Sequence, residues 1–133
     1  MKRILLCGAL VLLMSMVAVA GVLAAPASLV GTWTGTATYM DRMGVVTTGP
    51  IVLVVLVQES GFIQGALEMS PPELFYGFPI TGTVKKNSIT IAGNEPTTGD
   101  NLMGFGKLNG NKISFQLYMS INGSAVVGNL TKQ

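Results

Sequence analysis

Histidine is absent from the 133 residues, and the lone cysteine, Cys7, sits in an apolar stretch near the amino terminus. Those two gaps exclude Ser-His-Asp and Cys-His catalysis, together with the soft metal sites built from imidazole and thiolate. Charge is equally sparse, with 8 Lys and Arg against 6 Asp and Glu. Such a chain has no basic patch to follow a phosphate backbone or an anionic bilayer, so neither nucleic acid nor membrane surface is an expected partner. Tryptophan occurs once, as Trp33. Helical periodicity is missing beyond residue 28.

The one long apolar run lies at the start. Lys2 and Arg3 precede an uncharged stretch from Ile4, and small residues follow in signal-peptidase order. Residues 1–25 therefore read as a signal peptide, cut after Ala20 or after Ala27. Cutting directly after Ala25 would leave Pro26 at the first mature position. The alternative is a retained anchor, because the 22 residues Ile4–Ala25 are long enough to span a bilayer. Cys7 lies too early in the run to be a lipidation site. Without Lys2 and Arg3 the remaining charges balance, six against six. The expected product is a secreted or periplasmic domain, residues 28–133, that has no disulfide and no membrane attachment after cleavage. Its stability must come from packing.

Short runs rich in Val, Ile, Thr and Phe, broken by turn residues at near-regular spacing, predict an all-β domain. Strands are expected near 30–40, 45–58, 62–69, 78–85, 88–92, 102–108, 112–119 and 124–132. Asn109-Gly110 and Asn122-Gly123 favour type I′ turns. Eight strands joined by tight turns make a meander, and closing it into an antiparallel up-and-down barrel removes the exposed edges. Gly49-Pro50 interrupts the second strand, since proline has no ladder donor. Either the strand bulges there, or residues 40–50 form a loop.

In the first strand Thr32, Thr34, Thr36 and Thr38 share one face, while Trp33, Gly35, Ala37 and Tyr39 share the other. Threonine suits the solvent side, so Trp33 is expected to point inward. It is either a core plug at one end of the barrel or a stacking wall for a ligand. An apolar-x-Gly-x-apolar unit recurs around Gly35, Gly65, Gly82 and Gly128. By alternation these glycines also face inward, where they let a strand bend sharply.

Gly31-Thr32-Trp33 resembles the Gly-x-Trp signature of the calycin group, the lipocalin and avidin-like barrels. Gly65, Gly82 and Val127-Gly128-Asn129-Leu130-Thr131-Lys132 have the texture of avidin-type strands. The resemblance implies a small β-barrel. It does not carry biotin binding over, because avidin-type pockets use several tryptophans. Where lipocalins set an arginine across the tryptophan, this chain has only Lys132 nearby.

Catalysis is not expected. The six acids are scattered, and Glu68 reads as an outward, solvated side chain. The loop Asn94–Asn101 is rich in oxygen ligands but lacks the ordered spacing of a calcium loop, so a polar turn is the simpler reading. No cofactor or metal is implied. Asn122 and Asn129 match the glycosylation pattern at a frequency chance would give. Two functions fit. One is a binder of a small apolar ligand, using Trp33, Tyr39, Phe75, Tyr76 and Phe78, with Leu74–Phe78 as a lid. The other is a protein-interaction module resembling the small barrels that inhibit proteases, acting through its outer surface or loops. An open cavity favours the first; a filled core with an exposed apolar face favours the second. Finally, Ile51–Val57 is apolar throughout. If Ile51, Leu53, Val55 and Val57 face the core, then Val52, Val54 and Leu56 face out, and a homo-oligomer through that strand would cover them.

Overall fold

Alternating apolar and polar residues give each strand one face to bury, and eight such strands bury all of those faces by closing on themselves. The computed structural model describes residues 27–70, 76–120 and 123–133. Its strands are β1 (Gly31–Met40), β2 (Val46–Glu59), β3 (Phe62–Met69), β4 (Tyr76–Lys85), β5 (Ser88–Asn94), β6 (Asn101–Asn109), β7 (Lys112–Met119) and β8 (Ser124–Lys132). Each pairs antiparallel with the next, and β8 returns to β1, so the sheet is a closed up-and-down barrel. The signal-peptide segment falls outside the described residues.

The inward row of β1 is Trp33, Ala37 and Tyr39, all buried, while Thr32, Thr36 and Thr38 lie in solvent. The same alternation buries Ile51, Leu53 and Val55 of β2, Ile63 and Leu67 of β3, and Ile113 and Leu117 of β7. The inward glycines answer a backbone requirement. At Gly35 and Gly65 the carbonyl oxygen of the neighbouring strand, that of Asn129 or Val54, lies 1.9 Å from where a Cβ would stand. Only glycine permits strands to bend past each other so closely.

Three local expectations are corrected. First, β2 runs unbroken through Gly49-Pro50, in continuous register with Ala37 and Thr36. The Pro50 carbonyl accepts from Ser70 N at 3.1 Å, so its nitrogen faces the last rung beside β3, where a single reciprocal bond is forgone and the β1 ladder is untouched. Second, the bulge lies instead between Val55 and Val57. It adds a residue and reverses the alternation, so Val57 is exposed and Gln58 faces Ile63 across the ladder. Third, β4 begins at Tyr76, two positions before the expected start, because Tyr76 and Gly77 pair with Met69 and Glu68.

Turn chemistry also differs. At Asn109-Gly110 only Gly110 has a positive φ, so the turn is not type I′, which needs two. Among the described residues Ser60 and Gly61, with φ of 51° and 84°, meet that requirement, while Asn122 lies outside them.

Candidate ligand site

The end of the barrel where β1 starts is sealed. Leu29 is fully buried, and its carbonyl accepts from Trp33 Nε1 at 2.8 Å. Leu29 N donates to Gln58 Oε1 at 2.6 Å, a bond made possible by the bulge that turns Gln58 inward. Lys132 Nζ lies 5.4 Å from the Trp33 ring centroid and donates to the Ser28 carbonyl at 3.1 Å. A cation over an indole face is attractive, and here it also ties the last strand to the entering chain. Trp33 is therefore a structural plug.

Tyr39 sits six positions further along β1, roughly 20 Å away at the opposite end. Its hydroxyl donates to the Pro50 carbonyl at 3.2 Å. Burial pushes its pKa up to about 12, because the apolar surroundings disfavour a phenolate. Tyr76, at the start of β4, also lies at that end and stacks on Phe78 with ring centroids 6.3 Å apart. Phe78 is buried and Tyr76 half-buried. Phe75 and Leu74 lie outside the described residues. The structure thus brings Tyr76 and Phe78 together and sets Trp33 and Tyr39 at opposite ends of β1, and none of the four lines the cavity or the groove described next.

The polar loop at the same end is held by itself. The Glu95 carboxylate accepts from the amides of Thr97, at 3.1 Å, and Thr98. Those bonds favour the ionised form and hold its pKa down to about 2. Asp100 is almost wholly buried and accepts from Ser120 Oγ at 3.0 Å. Glu95 thus spends both oxygens on its own turn, as a polar turn requires.

The space inside the barrel is small. A cavity of about 30 Å³ lies among Leu53, Leu67, Ile91, Leu117 and other apolar residues of the interior. Another space lies on the outer wall, an open groove of about 410 Å³ over β5–β8. Its lining includes Phe105, Lys107, Ser114, Gln116 and Val127. The two spaces share Ile89, Phe105, Gly106 and Phe115, so the barrel wall between them is one layer of residues thick. Sequence reasoning missed this groove. Its signals, Phe115 and the glycines at 106 and 128, stand on three different strands and become neighbours only through the register.

Comparison with solved structures places these features on a known shape. The barrel superposes on EF1p2_mFAP2b bound to DFHBI with a TM-score of 0.64 and 13% identity, covering 79% of this chain and 94% of that one. The redesigned β-barrel mFAP1, also bound to DFHBI, gives 0.63 at 15% identity over 78% and 94%. A de novo designed fluorescence-activating β-barrel gives 0.59 at 11% identity over 78% and 93%. No protein-family model matches the chain, and no curated protein sequence matches it. What these structures share with the chain is the β-barrel fold.

Proposed function

We propose that the protein is an exported, non-catalytic β-barrel that binds a small apolar or aromatic ligand. The observation that carries this reading is the apolar 30 Å³ cavity backed, across a single layer of residues, by a groove large enough for a small molecule. Two barrels of similar shape hold DFHBI, which supports ligand binding as a use of this architecture. The chain's lack of histidine, and a lone cysteine inside the expected signal segment, support a non-catalytic role. Thermal unfolding in the presence of a panel of lipophilic and aromatic compounds tests the reading. A true ligand at about a hundred times its Kd should raise the midpoint by roughly 10 °C or more. If no compound of the panel moves the midpoint, the reading fails.

A second reading has its own observation. The filled interior is accompanied by exposed Leu56, Val57 and Phe62 at 67%, 49% and 65% accessibility, clustered where β2 bulges beside β3. Val52 and Val54 are only half-buried, so the apolar patch is displaced from the middle of β2 toward its end. Self-association through this patch would cover it. Leu56→Lys should then convert an assembly into single chains with the β-sheet signal unchanged. Wild-type protein that sediments as a monomer, at on the order of tens of micromolar, removes this alternative.

A further inference from the structure

We propose that the groove over β5–β8 is the ligand site of the binding reading above, on which this inference rests, and that it takes a flat aromatic anion. One row of the register explains the groove. Ile89, Gly106, Phe115, Gly128, Ala37 and Gly49 lie side by side around the inner surface from β5 to β2. Phe115 is the only ring in that row, and both its neighbours are glycine. A Cβ on Gly128 would stand 2.8 Å from Phe115 Cζ, so the ring lies flat along the wall over Gly128. Placed there, it leaves the central cavity partly unfilled. With no side chain on Gly106 or Gly128, it also remains reachable from outside, and it is only partly buried.

The outer side of that thin wall has matching chemistry. Phe105, Gln116 and Val127 form one outward cross-strand row, with Phe105 and Val127 41% and 52% exposed. Paired exposed apolar side chains over a partly exposed ring make a cleft for a planar group, which gains area burial and aromatic contact together. Lys107 follows Phe105 along β6 and lines the same groove. Its ammonium has no carboxylate partner among the described residues. An anionic substituent on the ring supplies that partner, while Ser114 and Gln116 offer hydrogen bonds. A second outer groove, of about 430 Å³, lies toward the sealed end, but its lining carries the Glu59 carboxylate and no cation, so it does not suit an anion.

Two dyes of similar ring size test the charge and the place together, using the full chain as exported. The probes are 8-anilinonaphthalene-1-sulfonate, which is anionic, and N-phenyl-1-naphthylamine, which is neutral. Wild type is expected to bind the sulfonate more tightly. Lys107→Gln should weaken the sulfonate by about three- to fivefold and leave the neutral dye unchanged, as expected for one exposed ion pair. Val127→Glu, which places a carboxylate in the cleft, should abolish sulfonate binding. Leu67→Phe, which fills only the inner cavity, should not affect it. Circular dichroism of each variant confirms that the barrel is intact. Sulfonate binding that survives Lys107→Gln and Val127→Glu but is lost in Leu67→Phe overturns the groove and keeps a ligand inside the barrel. Binding of neither dye to wild type, with no midpoint shift from the wider panel, overturns both readings.

Discussion

Gly65→Ala is expected to cost more than about 3 kcal/mol, a large share of a typical domain's stability. The reason lies in what surrounds the missing side chain. A Cβ there would stand 1.9 Å from the Val54 carbonyl oxygen, 2.9 Å from its carbon and 3.0 Å from Val55 Cα. All three are backbone atoms of the neighbouring strand, and none can rotate away as a side-chain tip does. Relief requires β2 and β3 to separate, which breaks their ladder beside the bulge between Val55 and Val57. Gly106→Ala is the control. Its added Cβ meets Ile113 Cγ2 at 3.2 Å and backbone only at 3.5 Å, so a small side-chain adjustment suffices and the cost should stay near about 1 kcal/mol. Urea unfolding of both variants decides the matter. A Gly65→Ala protein as stable as wild type would contradict that close approach.

Trp33→Ala should lower stability by about 3–5 kcal/mol, and the unfolding midpoint by roughly 15–30 °C for a domain of this size. The loss has several parts. The largest is the cavity left by an indole that is 1% exposed. The buried carbonyl of Leu29 also loses its donor, and Lys132 loses the ring beneath it. Trp33→Phe separates these contributions, because it keeps an aromatic ring and deletes only the N–H and part of the volume. It should cost about 1–2 kcal/mol, near the penalty for leaving one buried acceptor unmet. Native emission from Trp33 should be blue-shifted, since it is the chain's single indole and it is dry. Destabilisation of Trp33→Ala below about 1 kcal/mol, or a red-shifted native spectrum, would rule out the plug.

These two residues mark where local pattern is informative. In β1 the threonines and the apolar residues alternate without interruption, so period two alone orients Trp33, Gly35 and Tyr39. The same rule failed at Val57 because a bulge inserts a residue, and the uniformly apolar run Ile51–Val57 has no polar residue whose position would reveal the slip. Proline misled for the opposite reason. Pro50 looks like a break, yet it costs little at the last rung beside β3, and the end of β3 is a fact about another part of the chain.

The aromatic residues divide along the same line. Residue type marked Trp33, Tyr39, Tyr76 and Phe78 as notable, but their spacing along the chain says little about distance across a barrel. Trp33 and Tyr39 share a strand and stand at opposite ends, whereas Tyr76 and Phe78 stack. Phe105 and Phe115, which line the groove, carry no motif at all. Phe115 has the inward parity expected of a core residue, and only its two glycine neighbours from other strands make it accessible.

The all-β class, the eight strands to within about two residues at each end, and the buried faces outside the bulge were legible in the sequence, because they depend on alternation and turn residues within a few positions. The absence of histidine also excluded every site that needs an imidazole. That Gln58 and Lys132 secure one end, and that a groove over Phe115 opens on the outer wall, emerged from the folded barrel alone. Those properties depend on the register between strands, which sets residues far apart in the chain against each other at contact distance.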